Sequence, residues 1–578
     1  MSGPSVWAPR AGAVELVLAT GRTAMTRTDG DWWTSDQGLA DGDRYAFALD
    51  GGDPRPDPRG LALPDGPHGL SARFDTTAFA WTDQGWGGVE LAGSVIYETH
   101  VGTFTPEGTL DSAVERLPHL ADLGVRVVEL LPLASFPGER NWGYDGVAPY
   151  SVHEAYGGPA ALQRFVDAAH AHGLGVCLDV VYNHLGPDGN FLAEFAPYFT
   201  DTHPTPWGQG INLDGEDSDE VRAWVLDNVT QWLRDFHVDG LRLDAVHELH
   251  DETALPLLEE MSRNVDALAR AAGRPLWLVA ESDRNDPRTV TPRGAGDVVA
   301  GLGVHGQWAD DIHHALHVAL TGETQGYFAD FADPAALPKV LATPFFHDGV
   351  FSAFRGRRHG RRVDPASVPG WRFVASLQTH DQVGNRAQGD RLSGEQLDLD
   401  PGVLAGGAAV LLTSPYTPML FMGEEWGART PWLFFTDHTD PAIGEATKQG
   451  RRAEFGTHGW DEAEVPDPQA PETFLRSKLD WSERDREPHD RLLRWYHDLL
   501  ALRAAHPDLA DPGLGNQDVT WSQGRLSVAR GAFTVLVNLV DQPWTQPAGG
   551  RVVLSWDPDV AVEDGEVVVP ARSALVVG

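Results

Sequence analysis

Cysteine is almost absent from this 578-residue chain, with Cys177 standing alone. One thiol cannot form an intramolecular disulfide or a multi-cysteine metal site. Lysine is scarce too: Lys339, Lys448 and Lys478 are the only lysines among 44 basic residues, which leaves little room for Schiff-base chemistry. The bases are outnumbered by 84 acids, for a formal net charge of −40. Such a field repels phosphate backbones and anionic headgroups, so nucleic-acid and membrane-surface roles are not expected. No apolar run is long enough for a membrane span. Met1–Thr20 shows no basic start followed by an apolar core, so no secretory signal is visible and the expected location is cytoplasmic.

What is present divides into three parts. Residues 1–90 read as short β segments, Val14–Ala19 and Arg44–Leu49 among them, broken by the proline-rich stretch Asp53–Gly60. A small N-terminal β-sandwich is the expectation. From residue 91 to residue 508 strands and helices alternate. Strand candidates are Ser94–Tyr97, Val125–Leu131, Leu174–Val181, Gly240–Leu243, Leu276–Ala280, a weak sixth near Leu302–Gln307, Arg372–Leu377 and a last one within Ala408–Phe421. Helices are expected at Ala160–Ala171, Asp217–Phe236, a segment running to about Ala272, and Leu492–Ala505, with one near Leu110–Ala121 kinked by Pro118. Eight βα units predict an α/β fold, a (β/α)8 TIM barrel. Residues 509–578 return to alternation without helices, as at Phe533–Leu539 and Glu566–Val569, and predict a C-terminal β-sandwich domain.

Polar residues concentrate where those strands end. The third runs into Asp179 and on to Tyr182-Asn183-His184, the fourth carries Arg242 and Asp244, the fifth reaches Glu281, and the seventh ends at Thr379-His380-Asp381. Barrel enzymes react at the C-terminal mouth, where these groups would converge. A single buried carboxylate is ordinarily structural. Ionisable groups at four strand ends are harder to explain without function, because burying them is unfavourable. These carboxylates, with two histidines and an arginine, suit glycosidic cleavage, in which one carboxylate attacks the anomeric carbon and a protonated carboxyl serves the leaving oxygen. Arg242, two residues before Asp244 and so on the same strand face, is expected to keep Asp244 ionised.

These motifs resemble those of glycoside hydrolase family 13, the α-amylase family, over about 400 residues and in the same order along the strands. The resemblance implies Asp244 as nucleophile, Glu281 as general acid/base and Asp381 as transition-state stabiliser. It places Arg242, Asp179, His184 and His380 around the reacting sugar, and Tyr144 of Asn141-Trp-Gly-Tyr-Asp145 beneath it. Thr379 departs from the asparagine usual before His-Asp. Further stretches resemble the trehalose-releasing branch of the family. They are Pro56–Arg59 with His68-Gly69, Val95–Thr105, Asn141–Asp145, Ala280–Arg288, Gln307–His314 and Phe421–Trp426. That branch shares an Ig-like N-terminal sandwich, of the glucan-binding-module type, with branching and debranching enzymes. Its implied reaction is hydrolysis of the α-1,4 bond beside the terminal trehalose of maltooligosyltrehalose, with a maltooligosyltrehalose-forming enzyme acting before it and no cofactor or metal. The rival readings are a glycogen branching or debranching enzyme and a non-catalytic glucan-binding protein.

An enzyme of this branch needs a pocket for the bent disaccharide on the leaving side. Asp283, Gln307, Trp308, Asp310 and Asp311 are the candidates, being polar or aromatic and just beyond the fifth and sixth strands. Trp142, Trp207 and Trp308 are the expected cleft-lining tryptophans. Asp310, Asp311, His313 and His314 have poor spacing for zinc, and Asn183 occupies a position where many amylases place a calcium ligand. The basic run Phe354–Arg362 reads as a surface loop or as a lid, with Phe345 and Phe346 then facing the sugar.

Overall fold

The computed structural model describes residues 3–294, 301–457 and 465–578. At its centre eight short strands close into a parallel barrel: β1 (Ile96–Thr99), β2 (Val127–Leu130), β3 (Gly175–Val180), β4 (Gly240–Leu243), β5 (Trp277–Ala280), β6 (Gly306–Trp308), β7 (Phe373–Ser376) and β8 (Thr417–Phe421). Each strand pairs in parallel with the next, and β8 closes on β1 through Met419 opposite Ile96. Alternate residues face inward. Ile96, Val127, Cys177, Trp277, Val279, Trp308, Val374 and Met419 form one apolar cluster inside the barrel.

Val89 and Leu91 join that inner cluster, with Trp86 packed against it. They come from the segment leading into β1 and close the barrel at its N-terminal end. The closure is anchored by polar contacts. Trp86 stacks on His170 at 4.5 Å and donates its indole N–H to Asp239. Trp81 stacks on His237 at 3.8 Å, and Asp83 bridges His170 and His237.

Antiparallel sheets flank the barrel at both ends of the chain, as expected. The N-terminal pair comprises a three-stranded sheet, with Ser5–Trp7 against Trp32–Thr34, and a larger sheet built on Val14–Leu18 and Arg44–Leu49. The stretch Pro56–Arg59 docks this part on the barrel. Arg59 reaches Asp227 at 2.8 Å and the Tyr150 hydroxyl at 3.0 Å, while the Trp224 indole donates to the Pro58 carbonyl. The C-terminal part is a five-stranded sheet from Asp518–Ser522 to Ser573–Val577 beside a three-stranded one.

Three local expectations change. The region around Pro118 is two helices, Leu110–Val114 and Leu117–Leu123, with the proline in the first turn of the second, where its missing N–H is harmless. Ser218–Thr230 is α-helical, but Gln231–Asp235 continues it as a π-helical stretch. The apolar run before β8 is a helix, Pro401–Leu412, and the strand starts only at Thr417. Asp400 caps this helix by accepting from the Gly402 N–H at 2.8 Å. Packed between barrel and C-terminal sheet it has almost no solvent face, so it carries no helical periodicity. Gly406 allows the close approach, since a Cβ there would press on Val537. Among the described residues, no helix is long and apolar enough to cross a membrane.

Candidate active site

The C-terminal ends of β3, β4 and β5 bring three acids onto one guanidinium. Arg242 is fully buried on β4, and its Nη1 donates to both oxygens of Asp179, at 2.9 and 2.8 Å, and to Asp244 Oδ1 at 2.8 Å. Its Nη2 lies 3.1 Å from Glu281 Oε2. The same Oε2 accepts the Ala245 main-chain N–H at 2.7 Å. Ala245 has φ of 37°, a left-handed backbone that a side chain disfavours. This local strain turns the peptide after Asp244 toward Glu281.

His380 and Asp381 open a short helix, His380–Gly384, directly after β7. Thr379 caps it, its hydroxyl accepting from the Gln382 N–H at 3.1 Å. Asparagine is an equally good cap, so the departure from the family pattern leaves the helix start in place. His380 Nε2 lies 3.5 Å from Asp381 Oδ2.

Tyr144 is set by its own loop. Asn141 spans the turn, donating to Asp145 at 2.7 Å and accepting from the Gly143 N–H at 2.7 Å. Gly143 has φ of 112°, and a Cβ there would collide with the Pro132 carbonyl. The Tyr144 hydroxyl donates to Asp179 Oδ2 at 2.6 Å, and its ring stacks on His380 at 5.1 Å. His184 has its Nε2 3.1 Å from the Tyr144 carbonyl and its Nδ1 beside Asn183, and it stacks on Trp207 at 4.5 Å. Asp179, Arg242, Tyr144, Asp244, Glu281, His380, Asp381 and His184 therefore form one connected cluster.

Burial governs the charges in this cluster. It pushes Asp179, Asp244 and Asp381 above the ordinary carboxylate range, against the pull of Arg242 on the first two and of His380 on the third. Arg242 was expected to keep Asp244 ionised. It does pull Asp244 down, but burial together with Glu281, Asp179 and Asp381 outweighs it. Glu281 goes the other way: burial raises it, yet Arg242 and the Ala245 N–H bring it below its usual range. His380 is disfavoured as a cation by burial but is held at about 9 by Asp381 and Glu98.

The expected leaving-side residues separate. Asp283 borders a cavity of about 370 Å³ shared with His247, His250, Arg284, Arg357 and His359, and it pairs with Arg355. Asp310 stands beside Glu281 and Asp381, its carboxyl pushed up to about 8 by burial and those charges. Asp311 is committed to the scaffold: its Oδ2 accepts from Asn285 Nδ2 at 3.0 Å and from the His347 N–H at 2.8 Å. Gln307 is fully buried, and strand alternation puts it on the face opposite Trp308, toward the helices. The structure does not bring Gln307 or Asp311 into the cleft.

Of the three tryptophans, only Trp207 presents an open face, at 53% exposure. Trp142 is buried against Trp432, and Trp308 lies beneath Arg242. Phe345 packs on Phe373 and Phe346 on Phe331. In the basic run, Arg357 and Arg361 line the cavity, while Arg362 faces Asp348 at 3.7 Å. His313 and His314 turn their Nδ1 atoms toward each other at 3.0 Å, and burial pushes both down, His314 to about 4. Asn183 Oδ1 is buried without a hydrogen-bond partner. No group of three or more histidine, cysteine, aspartate or glutamate side chains that could hold a metal ion occurs among the described residues.

Two residues in the cluster carry no expectation from the sequence. Glu98 on β1 and Glu129 on β2 are register partners inside the barrel, each about 1% exposed. Glu98 grips His380, and burial, Glu98 and Asp179 push Glu129 up to about 8. Their only signal is an acid at the third position of a short apolar strand.

The family described as alpha amylase, catalytic domain, matches residues 65–202. A malto-oligosyltrehalose trehalohydrolase from Arthrobacter ramosus is 54% identical over 95% of each chain, and one from Rhizobium sp. (strain M-11) is 52% identical over 99% of this chain and 96% of that one. A crystal structure described as that of a "putative alpha amylase" from Salmonella typhimurium superposes with a TM-score of 0.89 at 38% identity, covering 99% of this chain and 96% of that one. With more than half its residues shared over nearly its whole length, the chain belongs to the malto-oligosyltrehalose trehalohydrolases, glycoside hydrolases of the α-amylase family.

Proposed function

We propose that this chain hydrolyses the α-1,4-glucosidic bond beside the terminal trehalose of maltooligosyltrehalose and releases trehalose, with retention of anomeric configuration. The observation that carries the mechanism is the single guanidinium of Arg242 between Asp179, Asp244 and Glu281. Asp244 is the nucleophile and attacks the anomeric carbon. Glu281 is the general acid and then the base. The Ala245 N–H bonds to Oε2 and the Arg242 guanidinium lies against the same oxygen, which leaves Oε1 to carry the proton to the leaving oxygen. Asp244 and Glu281 titrate together across Arg242, so the positive charge growing on the sugar favours ionised Asp244, and the proton the two acids share shifts to Glu281, which passes it to the leaving oxygen. Asp381, with His380 beside it, steadies that charge from β7.

Tyr144, stacked on His380, forms the floor under the reacting glucose, and Asp179, Arg242 and His184 hold its surroundings. The cavity bordered by Asp283, together with Asp310 beside Glu281, takes the released disaccharide. Its polar rim suits a unit with no reducing end and a bend that maltose lacks. An enzyme that rearranges the reducing end of a glucan must supply this substrate, and a cytoplasmic location belongs to the same proposal. The test is product analysis on maltotriosyltrehalose beside linear maltooligosaccharides. Trehalose as the disaccharide product supports the reading, and glucose or maltose from both substrates at equal rates would overturn it.

A further inference from the structure

Glu98 lies beneath the reacting groups rather than among them. It points into the barrel from β1, two residues after inward-facing Ile96, and is 1% exposed. Its two oxygens meet one residue: Oε2 accepts the His380 main-chain N–H at 2.8 Å, and Oε1 lies 2.5 Å from His380 Nδ1. The ring distance is that of a short, charge-assisted hydrogen bond. It puts a proton on Nδ1 and turns Nε2 toward Asp381. Tyr144 stacked on one face and Trp142 at an edge set the plane of the imidazole but not which nitrogen points up. A carboxyl with no access to water is costly to bury unless its hydrogen bonds matter, and an apolar residue would fill the space more cheaply.

We propose that Glu98 is a positioning residue for the reaction: it clamps His380 through that residue's main-chain N–H and its Nδ1–H and so fixes the orientation and charge of the imidazole edge that faces the sugar. The inference rests on the proposed hydrolysis, in which His380 borders the reacting glucose. The charged and titratable groups around His380 are Glu98 from β1, Asp179 from β3, Arg242 from β4, Glu281 after β5, Asp381 on its own helix, and the more distant His100 and Tyr144. Removing Glu98 leaves Asp381 as the nearest anion, with Arg242 still disfavouring the imidazolium. The imidazolium then loses its proton at lower pH, and Nε2 is no longer a fixed donor.

The test uses the full chain with maltotriosyltrehalose, reading kcat and KM from about pH 5 to about pH 10, with thermal unfolding alongside. Glu98→Gln should lower kcat by about 30-fold or more with KM changed less than about threefold, and should move the alkaline limb of kcat down by at least about one pH unit. Glu98→Asp keeps the charge, so it should leave that limb in place while still lowering kcat. In a His380→Asn background the Glu98→Gln change should cost less than about threefold, because the group it acts through is gone. An unmoved limb, or an equal cost in both backgrounds, would overturn the proposal even if the unfolding temperature fell. If Glu98→Gln does not fold, Glu98→Asp decides: a shifted limb in that variant sinks the idea. Failure of the hydrolysis assignment itself shows separately, as absence of trehalose from the unsubstituted enzyme.

Discussion

The guanidinium of Arg242 lies 4.4 Å from the centre of the Trp308 indole. Arg242 comes from β4 and Trp308 from β6, so the contact reaches past β5, the strand that leads to Glu281. The indole face attracts the cation while the guanidinium edge stays free for Asp179 and Asp244. Trp308 is therefore a support for the acids, not a sugar platform.

Trp308→Phe should keep most activity, since a ring face remains. Trp308→Ala should lower kcat further and also cost about 3–5 kcal/mol of stability, the usual penalty for emptying an aromatic site in a core. Parallel kinetics and thermal unfolding would check both. Equal kcat in the two variants would show that the ring face is irrelevant to Arg242.

The reaction should retain configuration, which requires Asp244 and Glu281 carboxyls about 5–5.5 Å apart. Proton NMR of the first turnovers should show the α anomer, and initial β product would exclude the double displacement. Asp244→Asn and Glu281→Gln should each lower kcat at least about 10³-fold. An Asp244→Asn enzyme with a tenth of the original activity would place the nucleophile elsewhere.

Specificity should depend on Asp283 and not on Asp311. The ratio of kcat/KM for maltotriosyltrehalose over maltopentaose should be at least about 100, because a site built to bond particular hydroxyls leaves its own polar groups unpaired on the wrong substrate. Asp283→Ala should shrink that ratio. Asp311→Ala should leave the ratio near its starting value and lower the unfolding temperature, since Asn285 and the His347 N–H lose their buried acceptor. The opposite pattern would put Asp311 in the pocket.

Acid should weaken the contact between the elements that follow β6 and β7. Glu323 is held at about 2 by His317 and by Arg386. Its folded pKa lies below the ordinary value of 4.5, so the stabilisation is complete above that pH and is lost as pH falls toward 2. Glu323→Gln should therefore destabilise the protein clearly at about pH 6 and much less at about pH 3, measured as denaturant midpoints. An equal difference at both values would show that charge plays no part.

Much of this was legible from residue order. The strands carrying Asp179, Arg242 and Glu281 are apolar, short and flanked by helices of clear period, so their ends could be placed and the acids recognised there. Other parts escaped for physical reasons. The helix Pro401–Leu412 is buried on nearly every side and shows no polar face to distinguish it from a strand. β6 has only three residues, too few to show which of Gln307 and Trp308 points inward, and a slip of one residue exchanges the two faces. Asp311 and Asp310 are sequence neighbours at the start of a helix, and only tertiary contacts decide that one is bonded to the scaffold. Glu98 was passed over because one acid in a short apolar strand carries no pattern of its own.

The segment that puts Val89 and Leu91 into the base of the barrel has a consequence for how the acids communicate with solvent. With that end sealed by apolar side chains, Glu98, Glu129 and the groups above them reach bulk water only by way of the cleft. A sugar seated there covers the open end, so the water that completes the hydrolysis enters from that side once the first product has left.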